Sequence, residues 1–127
     1  MSYLAAYGTL RSYWNKPAHS IRLGTIKNYG MYTCGGFPVI FPEESKEIIV
    51  EVFEVTPNTL RNLDKYEGIN GKKNDLYKRQ SLLIDEETTI PYIAEVYVGT
   101  EFFRKRKLAS IPSGDWLQHI KKLAKTS

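Results

Sequence analysis

Two short segments of this chain carry residue types that could do chemistry together. Tyr7-Gly8-Thr9-Leu10 closes the first apolar run, and Leu63-Asp64-Lys65-Tyr66-Glu67-Gly68 closes the first long helical pattern. A glycine at a strand exit lets the backbone turn without a Cβ clash and can leave successive N–H groups pointing at a docked anion such as a carboxylate. A lone glutamate at a helix end beside an aromatic ring is open to partial desolvation, which tunes a carboxyl group toward general-base work. An anion cradle plus a tuned base is an enzyme-like combination.

The neighbouring polar residues have plainer readings. Asp64 lies three residues before Glu67 and reads as a more exposed carboxylate, available to a Lys or Arg at helical spacing. Tyr7 and Tyr77 can present hydroxyls to a pocket, while tyrosines in small domains generally pack with a polar tip. Arg79 reads as a surface or structural cation. His19 and His119 are far apart and lack ligand-spaced neighbours, so no metal site is expected. Cys34, beside Gly35 and Gly36, reads as a small packing residue. As the single cysteine it excludes an intrachain disulfide and a multi-cysteine metal site, and a reducing cytoplasm fits it.

Positioning these residues falls to short strands and a few helices. Tyr3 to Tyr7 reads as a strand ended by Gly8, and Gly24 to Tyr32 as two strand pieces with a bulge or turn at Gly30. Between them, Asn15 before Lys16-Pro17 predicts a short helix within Tyr13 to Leu23. Gly35 to Pro42 is β-rich but fenced by Gly and Pro; Pro38 and Pro42 cannot donate to a ladder, so the segment suits an edge. Ile48 to Val55 reads as a strand with Ile49, Glu51, Phe53 and Val55 on one parity, the glutamate standing out. Thr56 then caps a helix with Pro57 at its first position, Leu60, Leu63 and Glu67 on its inward face, and Gly68 as its left-handed stop. Asn70 to Asp75 is a polar loop. Tyr77 to Ile84 and Ile90 to Val98 form a hairpin across Asp85-Glu86-Glu87. Ser113 caps a final amphipathic helix with Trp116, Leu117, Ile120 and Leu123 on one face.

At 127 residues the chain fits one domain, 1–127, with no linker. Apolar residues make up 42% and charged residues 25%, ordinary globular usage, and no run approaches the roughly 18 apolar residues of a bilayer span. The N-terminal residues lack the basic region and apolar core of a secretory signal. A net charge of +4 is concentrated late: Arg104, Lys105, Arg106, Lys107, Lys121, Lys122 and Lys125 stand against Glu101 and Asp115 beyond residue 100. Without an accompanying nucleic-acid motif, Arg104 to Lys107 reads as a solvated connection rather than a phosphate-binding patch.

The order Tyr7-Gly8-Thr9-Leu10, Gly36-Phe37-Pro38-Val39-Ile40, Leu63 to Gly68, Tyr77-Lys78-Arg79, Ala94-Glu95-Val96-Tyr97-Val98 and Ile111-Pro112-Ser113-Gly114-Asp115-Trp116 resembles the gamma-glutamylcyclotransferase-like family, on its gamma-glutamylamine cyclotransferase-like branch. The resemblance spans nearly the whole chain and implies an α+β fold, a small mixed β-barrel flanked by short helices with a cavity at the barrel mouth. It implies an acyltransferase or lyase that needs no metal or organic cofactor. In that reaction the α-amine of a γ-glutamyl amine or peptide attacks its own γ-carbonyl, releasing 5-oxoproline and a free amine or amino acid. Glu67 matches the family's catalytic glutamate, and Gly8, Thr9 and Leu10 match the loop whose N–H groups bind the substrate carboxylate, with Tyr7 and Tyr77 as further substrate contacts. One departure stands in Ile48-Ile49-Val50-Glu51-Val52-Phe53, where Val50 occupies a position the family commonly gives to glycine; its side chain either narrows the pocket or fills a corner of the barrel. Two functional classes follow: a cyclotransferase acting on a small γ-glutamyl molecule, or a non-catalytic module on the same fold that binds a small acid, a protein or a nucleic acid.

Overall fold

The computed structural model describes residues 2–8 and 22–126. The short helix expected before Leu23 lies outside the described residues, except that Arg22 and Leu23 open a strand. The described elements run β1 (Ser2–Ala6), β2 (Arg22–Thr33), β3 (Pro38–Val55), α1 (Pro57–Tyr66), β4 (Tyr77–Ile84), β5 (Tyr92–Gly99), α2 (Glu101–Arg104), β6 (Ala109–Ile111) and α3 (Trp116–Thr126). No helix among the described residues is long and apolar enough to cross a membrane.

The six strands form one mixed sheet in the order β4-β5-β1-β3-β2-β6, with β1 and β5 its parallel pair. The expected closed β-barrel is therefore corrected to an open α+β sheet. Its edges, β4 and β6, are joined by no ladder among the described residues. The sheet coils far enough for Asp85 and Thr25 to exchange two backbone hydrogen bonds at 2.9 Å, but that isolated bridge stops where β4 ends. Closure requires a continuous staggered ladder around the ring, and one bridged pair does not supply it.

Residues 38–55 form one continuous strand rather than two. Its Pro38 to Phe41 part ladders to β2, and β1 joins only at Glu51 to Val55, so the prolines sit where the far side of the strand has no ladder partner among the described residues. The irregularity in β2 falls at Asn28 rather than Gly30. Pairing jumps from Lys27↔Glu47 to Tyr29↔Pro42, and Asn28 and Ser45 both adopt positive φ, 64° and 69°. Asn28 Oδ1 accepts the Ser45 N–H at 3.3 Å across the bulge.

Alternation along the strands builds two apolar layers. Ala5, Tyr7, Ile48, Val50, Val52, Ala94, Val96 and Val98 face one side with Trp116. Leu4, Ala6, Phe53, Val55 and Tyr97 face the other and receive Leu60 and Leu63 of α1. Because β1 is covered on both faces it reads as an unbroken apolar run. Val50 is fully buried in the first layer, opposite Gly24 of β2, so its side chain fills core rather than lining the site.

Helix α1 forms as its sequence dictates. Thr56 Oγ1 accepts the Thr59 N–H at 3.1 Å, and Pro57 occupies the first turn, where its missing N–H costs nothing. Burying Leu60 and Leu63 contributes about 1.5–3 kcal/mol each. In α3, by contrast, the cap is Asp115: its Oδ1 accepts the Gln118 N–H at 3.3 Å, while Ser113 Oγ accepts the Asp115 N–H. Of the apolar face expected there, Trp116 is buried, whereas Ile120 and Leu123 are 39% and 53% exposed.

Candidate active site

At its C-terminal end α1 closes with a pair of crossed hydrogen bonds. Ile69 donates its N–H to Asp64 O at 2.9 Å and Gly68 to Lys65 O at 3.0 Å, with Gly68 at φ 71° and Ile69 packed against the Leu63 cluster. This is a Schellman stop, and it makes Glu67 the C-cap residue. The consequence is positional: Glu67 follows the inward-facing Leu63 by one turn, and its side chain lines a cavity instead of core.

That cavity, of about 670 Å³, lies at the C-terminal end of β1. Ala5 to Gly8 form one wall, Gly36 to Pro38 a second, and Tyr66 to Gly68 a third. Asn70, Asn74, Asp75, Leu76, Tyr77 and Tyr97 complete it. Of the residues expected to form the site, Tyr7, Gly8, Glu67 and Tyr77 are thus brought together; Thr9 and Leu10 lie outside the described residues. The polar loop holds its shape through Asp75, whose Oδ2 accepts the N–H groups of Asn70 and Gly71, each at 2.9 Å.

Burial raises the Glu67 carboxyl from its ordinary range to about 7, because removing water penalises the carboxylate. The phenols around it move the same way. Burial first, then the charges of Tyr77 and Glu67, push Tyr7 well above its usual range. Burial, then Glu67 and Cys34, does so for Tyr77. Both phenols stay neutral and commit their protons: Tyr7 donates to Tyr97 O at 2.6 Å, and Tyr77 to Pro38 O at 2.7 Å. With their protons committed, these hydroxyls can offer a further partner only an acceptor.

Asp64, expected to be the more exposed carboxylate within reach of a Lys or Arg, does pair with an arginine. It is half-buried, accepts the Tyr97 hydroxyl at 2.7 Å and pairs with Arg79 Nε at 3.0 Å, a partner from β4 rather than from its own helix. Arg79 is accordingly a structural cation. Cys34, read as a packing residue, is exposed on the loop after β2. Tyr97, Tyr66, Asn70 and Asn74 also line the cavity. Alternation along β5 could have flagged Tyr97, which shares a parity with Glu95 and not with the buried Val96 and Val98. In the basic stretch, Arg104 lies over the Phe41 ring at 5.5 Å and Arg106 over Phe102 at 5.7 Å, and neither lines the cavity.

The Glu67 shift has a stability consequence whose sign is fixed. A glutamate ionises near 4.5 when unfolded and near 7 here, so the folded state binds more protons between those values, and stability falls as pH rises through that window. Glu67→Gln removes the penalty. Its thermal midpoint should match the wild type at pH 4 and exceed it by roughly a few degrees at pH 8. A variant less stable than wild type at pH 8 would contradict the burial-driven shift.

Comparison with known proteins agrees with this architecture. A family model described as gamma-glutamyl cyclotransferase, AIG2-like, matches residues 4–118. A search of curated proteins found no match. Among solved structures, the chain is similar to an uncharacterised protein from Pyrococcus horikoshii at 19% identity and a TM-score of 0.72, covering 98% of each chain. It is similar to the protein ytfP from Escherichia coli at 29% identity and a TM-score of 0.58, covering 93% of this chain and 98% of that one. An AIG2-like protein from Mus musculus matches at 22% identity and a TM-score of 0.62, over 80% of this chain and 78% of that one. The likeness to the Pyrococcus and mouse structures is one of fold.

Proposed function

Because this chain belongs to the gamma-glutamyl cyclotransferase, AIG2-like family, which includes enzymes of that class, we propose that it releases 5-oxoproline from a γ-glutamyl amine or peptide, with Glu67 as proton carrier. The observation that carries the proposal is a carboxyl group raised to about 7 on the wall of a 670 Å³ cavity, beside the glycine turn that ends β1.

The reaction joins two ends of one substrate. The Glu67 carboxylate takes a proton from the α-ammonium, and the freed nitrogen attacks the γ-carbonyl carbon to form the lactam C–N bond. The attacking nitrogen sheds its second proton as it becomes the lactam N–H, and the old amide C–N bond breaks as both protons pass to the departing nitrogen, which leaves as an ammonium. One carboxyl group performs both transfers, and its near-neutral pKa suits it to receive and to donate. The acceptor oxygen of Tyr77 is suited to hold the ammonium, with the buried Tyr7 lining the same cavity, while backbone N–H groups of Gly8, Thr9 and Leu10 receive the α-carboxylate. Folding the substrate on itself is the larger part of catalysis, since well-oriented intramolecular attack reaches effective molarities of about 10⁵–10⁸ M; proton transfer adds about 10²–10⁴.

The test is a panel of γ-glutamyl amines and γ-glutamyl peptides incubated with the pure protein. Equal yields of 5-oxoproline and free amine from at least one compound are expected. Tight binding of an acid or nucleic acid, with no turnover of any compound, would favour a binding module on the same fold.

A further inference from the structure

Behind the cavity wall, three elements meet on one carboxylate. Asp64, one helical turn before Glu67, has its Oδ1 shared between the Tyr97 hydroxyl at 2.7 Å and Arg79 Nε at 3.0 Å. The same guanidinium reaches Glu95 Oε1 through Nη1 at 2.7 Å, and Ser81 Oγ donates to the other oxygen of Glu95. Tyr97 lines the cavity, and its carbonyl holds the Tyr7 hydroxyl. Arg79 and Tyr97 face each other across the β4–β5 ladder, and Ser81 faces Glu95, so alternation sets all four on the face that receives α1.

We propose that Arg79 is a positioning residue for Glu67: by clamping Asp64 to the β4–β5 hairpin it fixes the last turn of α1 and keeps the neighbouring carboxylate compensated. The inference rests on the reading of Glu67 as proton carrier. Its geometry is not that of a surface pair, since the Arg79 and Asp64 side chains are only 30% and 23% exposed and the planar guanidinium spans two carboxylates on different elements. Residues three apart on a helix are neighbours, so an uncompensated Asp64 would place a like charge beside Glu67. Among the described residues, the other groups around Glu67 are the neutral phenols of Tyr7 from the end of β1, Tyr77 from β4 and Tyr97 from β5. Asp75 of the loop also borders the cavity, and Lys65 lies on the same helix turn. Without the guanidinium, the last turn of α1 loses its tie to β4, and the Glu67 carboxylate becomes harder to form.

The experiment compares wild type, Arg79→Gln and the double variant Asp64→Asn/Arg79→Gln in two readouts: kcat and KM for 5-oxoproline release, and the titration of the Glu67 carboxyl carbon by NMR, assigned with Glu67→Gln. Arg79→Gln should lower kcat by about 10- to 100-fold with KM held within about threefold. It should move the Glu67 midpoint upward by about half a unit or more. In the double variant an amide still accepts from Tyr97 and no like charge remains, so the midpoint should return to the wild-type value with partial recovery of kcat. A lower unfolding midpoint with kcat and the Glu67 titration both unchanged would reduce Arg79 to an ordinary structural ion pair and overturn the proposal. If Arg79→Gln does not fold, Arg79→Lys decides: it keeps the charge but lacks the fork, so kcat should fall while the midpoint stays, and an unchanged kcat overturns the proposal. Wild type that releases no 5-oxoproline would sink the proposed reaction itself, and the NMR arm would still report whether Arg79 governs Glu67.

Discussion

Glu67→Gln should bind γ-glutamyl substrates and scarcely turn them over. The amide keeps the shape of the side chain and its place at the Schellman stop of α1, where the backbone N–H of residue 67 donates to Leu63 O at 2.8 Å, so the cavity keeps its form. What is lost is the only function the glutamate has that an amide lacks, exchange of a proton at neutral pH. A fall in kcat of about 10²-fold or more is expected, with KM changed by less than about threefold. Asp64→Asn is the informative control, because an amide there still accepts from Tyr97. It should cost far less than Glu67→Gln. Steady-state kinetics of a correctly folded Glu67→Gln that keeps more than about a tenth of wild-type kcat would remove the role, and the reverse ranking would transfer it to Asp64.

Gly8→Val should damage substrate binding most. A Cβ at position 8 would lie 2.5 Å from Pro38 Cγ and 2.9 Å from Cδ. Pro38 cannot easily give way, since it is buried, laddered to Thr33 and held at its carbonyl by the Tyr77 hydroxyl. The backbone at Gly8 must therefore shift instead, and with it the N–H groups proposed to bind the substrate carboxylate. KM should rise by about tenfold or more, on the scale of losing a charge-assisted hydrogen bond. Gly36→Ala provides the contrast, because Gly36 also lines the cavity but a Cβ there meets nothing within 4 Å. Equal effects of the two substitutions on KM would show that the tight contact with Pro38 does not govern binding.

What the sequence made legible was whatever short-range chemistry decides. Thr56, Pro57, Leu60, Leu63 and Gly68 each specify a local feature of α1 at a fixed spacing, and together they place Glu67 at the inward edge of the helix end without reference to the rest of the fold. The hairpin from Tyr77 onward was readable for the same reason. Long-range geometry was not. Whether the sheet closes depends on the coil accumulated across β1 to β6, which no single strand encodes. Residues 38–55 read as two strands because Pro42 and the exposed polar run from Glu44 to Glu47 look like a break, yet β2 pairs on both sides of it through the bulge at Asn28. Helix α2 and strand β6, at 4 and 3 residues, are too short to show a period. For Asp64 a Lys or Arg at helical spacing was the readable partner, whereas the actual one, Arg79, is brought to it across the fold.

If a carboxyl group tuned to near neutrality drives 5-oxoproline release, it should govern the pH dependence of kcat/KM for that release. The wild-type rate should rise with pH through an inflection near 7, where Glu67 becomes the carboxylate able to take the ammonium proton. The inflection should be missing from whatever residual activity Glu67→Gln retains. A wild-type profile flat from pH 5 to 8, or the same inflection persisting in Glu67→Gln, would rule out Glu67 as the proton carrier.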